Sequence, residues 1–219
     1  MSEGRISMTK NIPMPEQREK IIIGIAGEIA SGKDTVSRYY QKKHGASMYR
    51  FSDVLRDILK RLHLEENRKN LAASSLMLRE TFGEDIFARS IAEEIERDGN
   101  DFIVIDGVRR ASDVKSIQGL LGFTMLYINA DPKRRHERMN SRNQNSDDVT
   151  KTFEEFLRDS ELESETEIRK LAEEADFTID NNGSLDELYD HADAFLAKLR
   201  EGKEEKSKHA WSWKSLWKK

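Results

Sequence analysis

Residues 21–35 read IIIGIAGEIASGKDT. The first six, Ile21–Ala26, form a continuous apolar run, the pattern of a strand buried on both faces of a parallel sheet. Gly27 to Thr35 then fit G-x-x-x-x-G-K followed by a polar pair, and a helical pattern begins near Lys33. This spacing has a mechanism only between a strand and a helix, which is where it stands here. Gly27 and Gly32 allow the backbone of Glu28, Ile29, Ala30 and Ser31 to curl, so that its amides point inward. The helix start adds its positive end, and Lys33 adds a mobile cation for β and γ oxygens. Residues 27–35 are therefore expected to bind a nucleoside triphosphate, ATP or GTP, with Mg²⁺.

One residue departs from the usual pattern. A hydroxyl normally follows the lysine and sits on Mg²⁺; here Asp34 follows, and Thr35 comes one residue later. A carboxylate is a stronger hard-oxygen ligand, so Asp34 is expected to ligate the metal. The alternative has Asp34 capping the helix while Thr35 reaches the α-phosphate.

Further short apolar runs occur at 46–51, 102–106, 124–130 and 177–180. Helical patterns separate them at about 33–44, 53–63, 70–97, 112–120, 132–142, 151–175 and 185–200. Strands alternating with helices imply βαβ units. The expected fold is a three-layer α/β/α domain with a five-stranded parallel sheet over residues 20–200. Residues 1–19 read as a flexible arm. Residues 201–219 form a tail that has three Trp and, from Lys206 on, five Lys and no acid. That tail is either a solvated end or a docking segment for a partner, an anionic surface or a membrane interface.

Composition narrows the classes. The chain has 219 residues and no cysteine, which excludes disulfides, thiolate metal sites and thiol catalysis. A net charge of −4 provides no global field for nucleic acid, so a nucleic-acid partner is not expected. No apolar run is long enough to span a membrane, the N-terminus lacks the apolar centre of a signal peptide, and the reading is cytoplasmic. The five histidines show no metal spacing. Oligomeric state is left open.

Other residues carry chemistry by type and place. The strand FIVID ends in Asp106, where an aspartate beside a phosphate loop orients Mg²⁺ or its water; Gly107 after it permits close approach of a ligand. Asp53 has the position of a helix cap. Arg56, one turn in, can hold an acceptor phosphate bidentately. Arg135, Arg138 and Arg142 fall at i, i+3 and i+7 and share a helix face; three guanidinium groups in one stripe call for an anion between them.

The strand–loop–helix with Lys33-Asp34-Thr35 resembles the P-loop nucleoside monophosphate kinase-like family, in particular the phage and bacterial deoxynucleoside monophosphate kinases. The resemblance covers roughly residues 20–200. It implies acceptor-binding helices at about 52–98, entered through Ser52-Asp53-Val54-Leu55-Arg56. Leu78–Arg89 is similar to an acceptor-side segment, which makes Arg79 and Arg89 acceptor contacts. Asp106-Gly107-Val108-Arg109 resembles the Asp-Gly-x-Arg of dephospho-CoA kinase-like proteins, where the arginine faces the acceptor. Residues 135–158 resemble a lid with Asn143–Asp148 as its flexible part, so Arg138 and Arg142 close on the moving phosphoryl group. Phe153–Asp159 looks like the helix after the lid, with Arg158 toward the phosphates. Asn181-Asn182-Gly183-Ser184 is similar to the loop beside the donor base, which implicates Asn182.

The implied activity is transfer of a γ-phosphate to a small nucleotide-like acceptor, a (deoxy)nucleoside monophosphate first. Two alternatives stay open: transfer to a ribose hydroxyl with Asp53 as base, and a nucleic-acid-associated P-loop ATPase or nucleotide-binding regulator.

Overall fold

The computed structural model describes residues 19–142, 152–160 and 163–216. The arm expected at residues 1–19, apart from Glu19, and the lid segment 143–148 lie outside the described residues, as do side chains beyond Lys203, the tryptophans of the tail among them.

The first strand, β1 (Ile21–Ala26), is buried along its whole length. It leads through the glycine loop into α1 (Lys33–His44), then β2 (Ser47–Arg50) and three helices, α2 (Phe51–Arg61), α3 (Arg68–Phe82) and α4 (Ile86–Arg97). After these come β3 (Phe102–Asp106), α5 (Ala111–Ile117), β4 (Phe123–Asn129), α6 (Pro132–Arg142), α7 (Phe153–Asp159), α8 (Glu163–Glu174), β5 (Phe177–Asp180) and α9 (Leu185–Leu216). The sheet is five-stranded in the order β2-β3-β1-β4-β5, and every pairing is parallel.

Side chains alternate across β1 because a strand has a period of two. Ile21, Ile23 and Ile25 pack with Val36 and Tyr40 of α1 and with Leu188, Ala192 and Phe195 of α9. Ile22 and Ala26 face the other layer, with Leu55 of α2, Ile91 and Ile95 of α4, Ile117 of α5 and Leu171 of α8. A small third cluster joins Ala30 of the glycine loop to Met139 of α6 and Phe156 of α7. Each buried Ile, Leu, Val, Phe or Met among them contributes roughly 1.5–3 kcal/mol. The glycine loop is thus anchored by apolar contact as well as by its strand.

Chain order reverses at β1, which has β3 on one side and β4 on the other. In open α/β sheets the ligand crevice lies beyond the carboxyl ends of the strands at such a point. The register fixes what meets there: Ile25 is level with Asp106, and Arg50 is level with Asp106 from the other side.

Four helical expectations change. The pattern at 70–97 is two helices, broken at Gly83 with φ 105°, a left-handed conformation that ends α3 at little cost only for glycine. The pattern at 151–175 likewise divides into α7 and α8. The second helix begins at Phe51 with Arg50 in the cap position and no side-chain cap bond, so Asp53 lies in its first turn. There its charge favours the helix start without closing a cap. The last helix runs on to Leu216 instead of ending near 200.

Candidate active site

The glycine loop is a tight coil with three residues at positive φ: Gly27 at 156°, Ala30 at 60° and Gly32 at 104°. A Cβ on Gly27 would stand 2.5 Å from Ser31 Oγ and 2.6 Å from the Ile128 carbonyl oxygen, so only glycine fits. Ala30 holds a left-handed conformation without glycine's freedom, a local strain of the kind that concentrates at ligand sites. The Ser31 amide donates to the Glu28 carbonyl at 3.1 Å, and the Gly32 carbonyl accepts from Thr35 and Val36 at 3.0 and 3.1 Å. Ser31 is 1% exposed, and its Oγ has no hydrogen-bond partner among the described residues.

Asn181 braces this coil. It is buried, its Nδ2 donates to the Ser31 carbonyl at 2.7 Å, and its own carbonyl accepts from Arg138 Nη2 at 2.9 Å. A Cβ on Gly32 would collide with that same Nδ2. The neighbour singled out in the sequence, Asn182, instead accepts from the Asp131 amide at 2.8 Å and donates to Asp180 at 3.0 Å. It ties together the loops after β4 and β5.

Lys33 is nearly buried, and its Nζ lies 3.7 Å from Asp34 Oδ1, which is 40% exposed. The start of α1 has no side-chain cap bond, so Asp34 makes no cap here. Its carboxylate is a first-turn charge beside the lysine.

Asp106 closes β3 one strand away from the loop. Its side chain is 5% exposed, and Oδ2 accepts from Arg50 Nε at 2.7 Å. The other oxygen, Oδ1, is buried without a hydrogen-bond partner among the described residues. A buried carboxylate oxygen left unsatisfied is costly, and a cation or a donor from a ligand would remove that cost. Arg50 was not anticipated from sequence. The available signal was positional: an arginine ending a strand at the carboxyl edge of a parallel sheet.

These groups suit Mg²⁺. Asp106 offers a hard anionic oxygen, Asp34 a second, and no group of three or more carboxylates and imidazoles gathers among the described residues. Mg²⁺ typically takes one or two carboxylates and fills its shell with phosphate oxygens and water.

The acceptor-side arginines are placed less uniformly. Arg56 Nη1 donates to Asp53 Oδ1 at 2.9 Å and to Ser52 Oγ at 2.8 Å. Arg89 is half-exposed, donates to the Phe82 carbonyl at 2.9 Å and lies 3.5 Å from Asp85. Arg109 is exposed in the loop after β3, behind Gly107 with φ 78°. Arg79 does not stand where an acceptor contact was expected. It is 6% exposed, 2.9 Å from Asp113, which is itself 3% exposed. It also donates to the Glu84 carbonyl and lies over the Phe87 ring at 5.0 Å. Burial pushes the Asp113 carboxyl up, and Arg79 opposes that shift. This arginine joins α3 to α5 inside the fold.

The stripe on α6 also divides. Arg135 is buried, 3.1 Å from Glu28 Oε1, with its Nε on the Ala130 carbonyl at 3.1 Å and its guanidinium over Phe156 at 5.3 Å. The anion it requires is supplied by the protein. Arg169 of α8 reaches the same Glu28 oxygen at 3.5 Å. Glu28, read from sequence only as part of the loop, is thus the charged hub between the loop, α6 and α8. Arg138 turns to Asn181 as described. The side chain of Arg142 lies outside the described residues, and Arg158 is exposed.

Comparison with known proteins follows the same outline. A family described as an AAA domain matches residues 23–166, which hold the glycine loop, Asp106 and α6. A UPF0200 protein of Staphylothermus marinus is 31% identical over 180 residues, covering 82% of this chain and 93% of that protein. The chain is a UPF0200-family protein with an AAA domain. Another UPF0200 protein, of Saccharolobus solfataricus, is 31% identical over 170 residues, with 76% of this chain and 87% of the relative covered. Among solved structures, shikimate kinase from Bacteroides thetaiotaomicron superposes with a TM-score of 0.56 at 13% identity, covering 82% of this chain and 98% of the other. A gluconokinase from Sinorhizobium meliloti gives 0.54 at 16% identity, covering 87% and 99%. At such identities the likeness shows the fold alone, and that fold is the P-loop kinase fold. No helix among the described residues of this UPF0200 chain is long and apolar enough to cross a membrane.

Proposed function

We propose that this UPF0200 chain is a phosphotransferase that takes the γ-phosphate of ATP or GTP, with Mg²⁺, and passes it to a small nucleotide-like acceptor, first of all a (deoxy)nucleoside monophosphate. The observation that carries the reading is Asp106 Oδ1, buried without a hydrogen-bond partner among the described residues, one strand away from a glycine coil that leads into the nearly buried Lys33. Both lie at the sheet's switch point, where open α/β sheets bind their ligands.

Phosphoryl transfer needs chiefly positioning and charge neutralisation. Loop amides 27–35 hold the polyphosphate, and Lys33 offsets charge on the transferred group. Asp106 and Asp34 are the carboxylates that would hold Mg²⁺, which would supply charge neutralisation for the phosphates. Arg138 links the loop brace Asn181 to α6, so the lid helix and the phosphate coil keep one geometry. Arg56 and Arg109 serve the acceptor, and Arg89 stands at its periphery. An acceptor phosphate attacks without a base. A hydroxyl acceptor, the second reading, would use Asp53, which lines a cleft of about 370 Å³ together with Arg50 and Asp57.

Calorimetry with ATP and GTP in the presence of Mg²⁺ tests the donor half, and binding of neither ends the proposal. Consumption of ATP across (deoxy)nucleoside monophosphates and dephospho-CoA tests the acceptor half. Hydrolysis indifferent to every acceptor but raised by RNA assigns the chain to nucleic-acid-linked ATPases instead. Asp53→Asn separates the two acceptor classes: kcat within about tenfold of wild type fits a phosphate acceptor, and a loss of 10²–10⁴-fold fits a hydroxyl.

A further inference from the structure

Arg50 stands between two places. Its Nε holds Asp106 Oδ2 at 2.7 Å, and the same side chain lines the cleft between β2, α2 and α4. The bond to Asp106 uses Nε alone; no other acceptor among the described residues takes the Nη groups. A guanidinium is a planar fork that matches phosphate oxygens two at a time. The side chain is 23% exposed, whereas Asp106 is 5% exposed, so the arginine has room on its cleft side and the carboxylate has none.

The pair sets up a competition. While the guanidinium neutralises Asp106, a divalent cation beside that carboxylate meets a like charge at close range, where repulsion is strong in a poorly solvated site. If the guanidinium turns into the cleft, the carboxylate presents its full charge to the cation. The cleft suits a ligand able to draw it there. Arg50 lines it, as do Asp53, Asp57 and Glu94, which offer acceptors for hydroxyl or amino groups, and the apolar Val54, Ile58 and Ile91.

Resting on the phosphotransferase reading, we propose that Arg50 is the phosphate anchor of the acceptor and the coupling arm between the two substrates: an acceptor monophosphate carrying hydroxyl groups draws it off Asp106, so acceptor and divalent cation favour each other's binding. Coupling of this kind is reciprocal and is commonly worth about 5–150-fold in affinity. The sign of its prediction separates this role from plain positioning. An arginine that only orients Asp106 would aid cation binding, and its loss would weaken it. An arginine that competes at Asp106 restrains cation binding, and its loss would strengthen it.

The test uses the full chain saturated with ADP, with Mn²⁺ as the cation and the electron paramagnetic resonance signal of free Mn²⁺ as readout. A mixture of the common ribo- and deoxyribonucleoside 5′-monophosphates serves as the acceptor probe. In wild type the mixture should tighten Mn²⁺ binding by about fivefold or more. Arg50→Met should bind Mn²⁺ more tightly than wild type without the mixture and should not respond to it. Arg50→Lys keeps the charge, guards against a variant that fails to fold, and should restrain Mn²⁺ as wild type does. Weaker Mn²⁺ binding by folded Arg50→Met overturns the proposal, as does a wild type indifferent to the mixture while ADP is bound. Failure of ADP to bind at all is separately visible by calorimetry and removes the phosphotransferase reading along with it.

Discussion

The donor and acceptor sides of the crevice treat their charges in opposite ways. On the donor side, Ser31 Oγ and Asp106 Oδ1 are buried without a hydrogen-bond partner among the described residues; strand register places Asp106, and the bond from Asn181 to its carbonyl places Ser31. On the acceptor side, Arg56 has Asp53 and Arg89 has Asp85, while Arg79, read from sequence as an acceptor contact, is buried against Asp113. Groups fixed in advance at low dielectric are what stabilises a developing charge; groups that have already found partners must be drawn away first. The phosphate coil is therefore built before ligand arrives, whereas the acceptor arginines have to exchange partners to form their site.

The largest expected effect is at Arg79. Removing one member of a buried pair leaves an uncompensated charge and costs about 3–5 kcal/mol. Arg79→Met should lower unfolding stability by that order in urea, and adding Asp113→Leu should recover most of it. An unchanged midpoint combined with lost acceptor use would return Arg79 to the acceptor site. Next comes Lys33→Met, with a loss of about 10²–10³-fold in phosphotransfer and an unchanged melting temperature. A matching fall in stability would mean that the lysine is a structural part of the donor side.

A smaller effect concerns the seam behind the donor side. Asp193 of α9 accepts from Tyr39 and Lys43 of α1 at 2.8 Å and lies 2.8 Å from His44. Partial burial raises its carboxyl, but the bonds from Lys43, His44 and Tyr39 outweigh that and bring it down from 3.8 to about 2. A folded value below the unfolded one gives stability that is present above the unfolded value and lost as pH falls through the folded one. Wild type should thus lose stability between about pH 4 and pH 2, and Asp193→Asn should lose less across that window. Smallest of all is Arg89→Ala, an exposed pair whose removal should change stability by less than about 1 kcal/mol. A larger fall would show that the turn at Gly83 depends on the bond from Arg89 to the Phe82 carbonyl.

Local spacing made the donor side legible. An apolar run, two glycines and a lysine name a strand, a coil and a helix start without reference to anything distant, and an aspartate ending another apolar run is found in the same way. The break at Gly83 was hidden because apolar periodicity carries on through residues 70–97 on both sides of it. Arg79 misled because a charged residue on a helix looks alike whether it meets solvent or a buried carboxylate, and Asp113 is 34 positions away.

What the chain's order of residues determined alone was the βαβ alternation, the phosphate coil at 27–35 and the strand-end aspartate, since each depends on neighbours within one element. Tertiary structure alone decided that Arg50 meets Asp106, that Asn181 braces Ser31, 150 positions earlier, and that Glu28 gathers Arg135 and Arg169. Those partners are chosen by the order β2-β3-β1-β4-β5, which brings strand ends together across long sequence separations, and burial then selects the charges that must pair.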